Sequence, residues 1–317
     1  MAALRVVFMG TAELSCASLR RLVALPAFQV VAVVTQPDRP KGRELKLLPS
    51  PVKELAQGSG LPVLQPERAR DEGFIEELRR FAPDLSAVAA YGQILPKELL
   101  ELPRFGSLNV HTSLLPKYRG ASPIQRAILN GDVETGVTIM KMDVGLDTGG
   151  ILTQARTSIR AEDNAETLHD RLSEMGADLL ATTIPGYVTG KIQPHPQPGE
   201  GASYAPKIRK EDGHIDWRQP AVAIWNCVRG LVPWPSAFTF LPAEPRPHLV
   251  KLWQAAVAEC SGRPGEVLQA DKTGIVVGCG RQSLRILVLQ REGGRRLPAQ
   301  EFLAGHPLRA GVQFELK

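Results

Sequence analysis

Gln29-Val-Val-Ala-Val-Val-Thr35 is an unbroken run of β-branched and small apolar residues between two polar ends. Apolar and polar residues do not alternate in it, so it reads as a strand buried on both faces, the mark of a parallel sheet covered by helices. Working outward, residues 4–9 form a second short apolar run, and residues 13–25, between the two, carry helical spacing. Residues 62–64, 85–91 and 106–111 follow as strands, with helical stretches at 52–57, 72–81 and 96–102. Strands separated by helix-length connections require crossovers, which give a parallel sheet with helices on both faces. Residues 136–142 and 151–159 add two strand-like segments, and a helix is expected from about 165 to 184.

The pattern then changes. Residues 190–206 (GKIQPHPQPGEGASYAP) hold four prolines and three glycines and read as a linker. Beyond them come short strands punctuated by Pro and Gly at 237–241, 249–256, 265–269, 274–278 and 284–290, the spacing of a small β-barrel. A length of 317 residues fits two domains at roughly 150 residues each.

Composition narrows the class. With 43% hydrophobic and 22% charged residues the chain has enough apolar content to fold, and no apolar run is long enough to span a bilayer. The N-terminus runs straight into a strand, so no secretory leader is expected. Cys16, Cys227, Cys260 and Cys279 lie far apart with no CxxC pair, which suits reduced thiols in a cytoplasmic protein and disfavours a zinc site or a disulfide framework. The net charge of +5 is uneven: residues 207–317 carry 16 Lys and Arg against 10 Asp and Glu, and the rest of the chain carries 22 against 23. An excess confined to the last third is either a solvated surface or the footprint of a polyanionic partner such as nucleic acid.

Two segments carry the chemistry. In Gly106-Ser-Leu-Asn-Val-His-Thr-Ser-Leu-Leu-Pro116, strand alternation turns Asn109 and His111 to one face and Leu108 and Val110 to the other. Polar side chains on a buried strand are costly unless paired, and the C-terminal ends of strands are where open α/β sheets bind ligands. The second segment, Met140-Lys-Met-Asp-Val-Gly-Leu-Asp-Thr-Gly149, is an acidic loop between glycines, and its Asp143 and Asp147 lack the further ligands that a metal needs. Asn, His and a loop Asp suit acyl transfer to an amine without a covalent intermediate. The Asn donates to a developing oxyanion, a protonated His adds charge, and the Asp holds the His and relays a proton. Ser113 is not in GxSxG, and Gly10 in FMGTAELS belongs to neither GxGxxG nor a P-loop, so serine-nucleophile chemistry and nucleotide cofactors are unsupported.

The run from Asn109 to Pro116, then Tyr118-Arg-Gly120 and Pro123, then Asp143-Val-Gly-Leu-Asp147-Thr-Gly149, resembles the signature of the formyltransferases that use 10-formyltetrahydrofolate. That family acts on glycinamide ribonucleotide, sugar nucleotides or methionyl-tRNA, and includes a formyl-folate hydrolase domain. Thr35-Gln-Pro-Asp-Arg-Pro-Lys-Gly-Arg43, Leu48-Pro-Ser-Pro-Val-Lys53, the stretch from Tyr204 to Trp217 and Trp234-Pro-Ser-Ala-Phe238 resemble its methionyl-tRNA branch nearly end to end. The pattern departs at Ala12, Leu14, Glu44 and Val232.

The resemblance implies an α/β fold, a Rossmann-like parallel sheet domain followed by a small OB-like β-barrel domain, divided as residues 1–189 catalytic, 190–206 linker and 207–317 tRNA-binding. It implies Asn109, His111 and Asp147 as the catalytic trio, with Ser113, Leu114, Leu115 and Pro116 in the folate site and Tyr91, Gly92 and Leu95 lining the pterin pocket. Lys41, Arg43 and Lys46 in the loop and Lys207, Arg209 and Lys210 beyond the linker are the implied tRNA contacts. The co-substrate would be 10-formyltetrahydrofolate with no metal. The partner would be initiator methionyl-tRNA, met by a cytoplasmic monomer with no membrane association. Rivals are a formyltransferase for a small amine or sugar nucleotide, a hydrolase releasing formate, and a non-enzymatic RNA-binding protein.

Overall fold

The computed structural model describes residues 3–41, 46–243 and 246–317. The chain forms two compact units, one of Met1–Pro123, Glu134–Ser158 and His169–Ala205, the other of Ile124–Val133, Ile159–Leu168 and Pro206–Lys317.

The elements up to the end of the long helix are β1 (Leu4–Gly10), α1 (Leu14–Ala24), β2 (Phe28–Val34), β3 (Arg39–Lys41), β4 (Lys46–Leu48), α2 (Pro51–Gly58), β5 (Val63–Leu64), α3 (Glu72–Arg80), β6 (Leu85–Ala89), α4 (Lys97–Leu100), β7 (Ser107–His111), α5 (Pro123–Leu129), β8 (Glu134–Lys141), β9 (Ile151–Ser158) and α6 (Ala165–Val188). The main sheet has the order β5-β2-β1-β6-β7-β8-β9. From β5 to β7 neighbouring strands are parallel, and β8 and β9 then pair antiparallel, so the sheet is Rossmann-like but mixed at one edge. Where the pattern alone suggests a wholly parallel sheet, the chain between β8 and β9 is only residues 142–150, too short for a crossover, and it closes a hairpin instead.

Local chemistry explains the elements. In β2 only Gln29 is exposed and the other residues are buried, as a strand covered on both faces requires. Ser50 caps α2 by accepting from Lys53 N at 3.0 Å, with Pro51 in the first turn, and Asp71 caps α3 by accepting from Phe74 N at 3.1 Å. Gly10 ends β1 where a Cβ would stand 2.7 Å from Ser15 Cβ, so only glycine lets α1 start there. On one face of the sheet Met9, Val34, Leu78 and Leu99 form the core with Tyr91.

The second unit adds α7 (Ala221–Gly230), β10 (Ala237–Leu241), β11 (His248–Ala258), β12 (Val267–Asp271), β13 (Gly274–Gly278), β14 (Ser283–Arg291), β15 (Leu297–Pro298) and α8 (Ala299–Gly305). Its strands form one antiparallel sheet of order β10-β11-β14-β13-β12, with β15 on β14. Trp217 is wholly buried under it, stacked on Phe314 at 5.6 Å between ring centroids, and its indole N–H donates to Thr239 Oγ1 at 3.0 Å. All four cysteines are free, and burial pushes the thiols of Cys16 and Cys279 up to about 11 and about 12. No helix among the described residues is long and apolar enough to cross a membrane.

Candidate active site

The C-terminal end of β7 delivers two polar side chains to one face. Leu108 and Val110 face the other way, where Gly176 of α6 sits so close that a Cβ would be 2.7 Å from Val110 Cγ1. Asn109 and His111 are both buried, at 8% and 5% exposure. His111 Nε2 lies 2.9 Å from the Tyr118 carbonyl oxygen, which only accepts, so that nitrogen carries the hydrogen. The ring thereby turns Nδ1 toward Asp147 Oδ2 at 3.7 Å. The same carboxylate oxygen accepts from Gly120 N at 2.8 Å. Among the described residues the Asn109 side chain makes no hydrogen bond, which leaves its amide uncommitted beside a braced His–Asp pair.

The hairpin loop explains why its sequence is so glycine-rich. Asp143 Oδ1 accepts from Gly145 N at 3.0 Å and from Thr148 Oγ1 at 2.8 Å, so this carboxylate is spent on building the turn. A Cβ on Gly145 would strike Thr148 Oγ1, and one on Gly149 would strike the Lys141 carbonyl. The tight turn places Asp147 at φ 52°, a left-handed conformation that costs about 1–3 kcal/mol in a non-glycine residue. The strain aims its carboxylate back at His111. Tyr118, whose carbonyl holds His111, is also left-handed, at φ 62°.

The Thr138 hydroxyl ties down the segment from Ser113 to Pro116 at two backbone atoms. Thr138 Oγ1 on β8 donates to Ser113 O at 2.7 Å and accepts from Leu115 N at 3.1 Å and Gln154 Nε2 at 2.9 Å. Ser113 Oγ donates to Lys117 O at 2.6 Å, so Ser113 and Leu115 shape the loop, while Leu114 and Pro116 are half-buried along it. Tyr91, Gly92 and Leu95 follow β6. Gly92 has φ 85° and abuts the Gln36 side chain, and Leu95 lies in the core. The Tyr91 carbonyl accepts from Thr11 Oγ1 at 2.8 Å and Gln36 Nε2 at 2.9 Å, whereas its hydroxyl is buried with no partner among the described residues, and burial pushes its pKa to about 12. Tyr91→Phe is expected to raise the unfolding free energy by about 1 kcal/mol, because it deletes an unsatisfied buried group. Chemical denaturation checks this, and a loss of stability would mean the hydroxyl has a partner.

On either side of residues 42–45, β3 and β4 form a short antiparallel ladder in which Arg39 pairs with Leu48 and Lys41 with Lys46. Arg43 lies outside the described residues. Asp38, at the base of the ladder, accepts from Lys53 Nζ at 2.7 Å and Gln65 Nε2 at 2.8 Å, and these bonds hold its carboxyl below the usual carboxylate range. In the second unit Lys207, Arg209 and Lys210 are all exposed.

Sequence reading singled out the trio but not what holds it. Tyr118 and Gly120 act through backbone atoms, which leave little trace in a side-chain pattern, although both fall within the quoted Tyr-Arg-Gly motif. Residues expected to form a linker run back along the first unit, with His195 paired to Ile151 and Tyr204 to Arg119.

The model for formyl transferase matches residues 4–184, and that for formyl transferase, C-terminal domain, matches residues 207–307. The chain is 51% identical over 311 residues to the methionyl-tRNA formyltransferase of Citrifermentans bemidjiense, covering 98% of this chain and 96% of that one. It is 49% identical over 313 residues to the methionyl-tRNA formyltransferase of Geobacter sulfurreducens, covering 99% and 97%. Among solved structures, the N-formyltransferase from Helicobacter canadensis, in complex with folinic acid and dTDP-3-aminofucose, shares the fold with a TM-score of 0.66 at 20% identity, over 89% of this chain and 99% of that one. With both family models matched in order along one chain, and relatives about half identical over nearly its whole length, this chain belongs to the formyl transferase family.

Proposed function

We propose that this chain transfers the formyl group of 10-formyltetrahydrofolate to the amino group of methionine on initiator methionyl-tRNA, giving N-formylmethionyl-tRNA for translation initiation in the cytoplasm. The observation that carries the chemistry is the uncommitted Asn109 amide beside the His111–Asp147 pair at 3.7 Å. Near-full-length identity to enzymes named for methionyl-tRNA supports the choice of acceptor.

In this reading the amine attacks the formyl carbon, and Asn109 donates to the formyl oxygen as negative charge grows on it. His111 adds positive charge to the same side, and Asp147, braced by Gly120, orients it and helps to remove the amine's proton. That proton passes to N10 of the folate as the carbon–nitrogen bond to the donor breaks. The scheme uses no metal. Ser113 to Pro116 with Tyr91, Gly92 and Leu95 would hold the folate. Residues 1–189 would form the catalytic domain, 190–206 the linker, and 207–317 an OB-like domain that grips the tRNA of a monomeric enzyme, with Lys41, Arg43 and Lys46 reaching the acceptor end.

The test is formylation of charged initiator tRNA with 10-formyltetrahydrofolate. Formyl-methionyl ester should accumulate, with little product on charged elongator tRNA and none on uncharged tRNA. Formate release without an acceptor would favour a hydrolase. Transfer to a sugar amine in preference to the tRNA would overturn the choice of substrate.

A further inference from the structure

Gln197 lies within the proline-rich stretch read from sequence as a linker, yet its side-chain amide is fully engaged. Its Oε1 accepts from Arg119 Nε at 3.0 Å and Arg119 Nη2 at 2.7 Å, and its Nε2 donates to the carbonyls of Asp147 at 2.7 Å and Gly149 at 2.9 Å. Arg119 and Asp147 belong to the two loops that build the site. Gly120, next to Arg119, donates to the Asp147 carboxylate at 2.8 Å. The contacts therefore close a ring: Asp147 carboxylate, Gly120 N–H, Arg119 guanidinium, Gln197 amide, Asp147 carbonyl.

Neighbouring backbone anchors the ring from the same stretch. Arg119 N donates to Ser203 O at 2.8 Å, Ala205 N donates to Arg119 O at 2.7 Å, and Tyr118 N donates to Ser203 Oγ at 3.0 Å. Tyr118 in turn carries the carbonyl that holds His111. Only an amide can do what Gln197 does, because it must accept from a cation on one side and donate to two carbonyls on the other. Asp147 needs such bracing, since its left-handed backbone at φ 52° persists only where its surroundings enforce it.

We infer that Gln197 is a positioning residue for the reaction, locking the Asp147 loop to the Tyr118–Gly120 loop so that the carboxylate stays aimed at His111. The inference rests on the site reading that makes Asp147 part of the catalytic machinery. Gln197→Glu keeps the bond to Arg119 but sets a carboxylate oxygen against two carbonyls, and Gln197→Ala removes the bridge without adding a charge.

The test measures formylation of initiator methionyl-tRNA by the full chain, with Asp147→Asn as a second background. Both Gln197 variants should lose about tenfold or more in kcat, because small misplacement of a reacting group is costly, with KM for the tRNA nearly unchanged. Added to Asp147→Asn, Gln197→Ala should cost less than about twofold more, since a residue acting through Asp147 has nothing left to position. A merely structural glutamine would give losses that multiply in that background, and this result would overturn the inference. So would wild-type kcat in Gln197→Ala. If Gln197→Glu melts early, Gln197→Ala decides alone. Wild-type turnover in Asp147→Asn would instead overturn the site reading, and the role of Gln197 with it.

Discussion

The Asn109→Ala enzyme is expected to turn over about 10²- to 10³-fold more slowly than its parent while melting at nearly the same temperature. Both halves of this expectation come from one feature, the absence of any hydrogen bond to the Asn109 amide among the described residues. A side chain that pairs with none of the described residues leaves no partner of theirs stranded when it is truncated, so stability changes little. A donor that meets the formyl oxygen only as charge builds there contributes mainly to the transition state, so the loss should appear in kcat and hardly in KM. Steady-state kinetics with a melting curve on the same sample checks it. Turnover near wild type in the folded variant would remove Asn109 from the mechanism.

His111 and Asp147 make less clean probes for a physical reason. His111→Ala removes a buried ring and its hydrogen bond to the Tyr118 carbonyl and opens a cavity, which together cost stability as well as chemistry. Asp147→Ala deprives Gly120 N–H of its acceptor and leaves a strained φ without the carboxylate that the strain serves. A loss of activity in either variant mixes two causes, and in the proposed mechanism the three losses should not add, because catalytic groups that act as a unit are non-additive. Asn109 separates the two.

What could be read from the sequence follows from what kind of contact each feature depends on. The covered strand at Gln29–Thr35 and the facing of Asn109 and His111 are properties of single strands, and period-two alternation displays them directly. The short strands after residue 230 are punctuated by their own turn residues and are legible in the same way. The ladder between Arg39 and Leu48 looks like a loop because Pro40, Pro49 and a run of charges obscure any alternation. Helix α7 is poorly announced in the sequence although its buried Ala221, Ile224 and Val228 have helical spacing, because its cap position holds Pro220 in place of the Ser, Thr, Asp or Asn that marks a helix start. Least legible are the contacts that hold the trio. Asp147 meets Gly120 across 27 residues and Gln197 across 50, and in each contact one partner is a backbone group that every residue possesses. Composition correctly marks residues 190–206 as unable to form a regular element. It carries no sign that the segment is pinned to the loops around Asp147.

The positive excess of residues 207–317 leads to the other large expected effect. Replacing Lys207, Arg209 and Lys210 together by Ala should weaken tRNA binding and, more tellingly, flatten its dependence on salt. All three side chains are exposed and none is engaged in an ion pair among the described residues, while the neighbouring Asp212 carboxylate is occupied by Arg126 at 3.3 Å. They are therefore available to displace counterions from phosphates. Each contact of that kind contributes a slope of roughly 0.7–0.9 to log K against log salt, so losing three should make the line shallower by about 2 to 3. Between 50 and 200 mM salt the wild-type affinity would then fall roughly 20- to 40-fold more than that of the triple variant. A direct binding titration at several salt concentrations measures this without reference to catalysis, and KM for the formyl donor provides the internal control because the proposed folate site does not include these residues. An unchanged slope would mean that the excess charge is only a solvated surface. A parallel loss of folate affinity would point to misfolding instead.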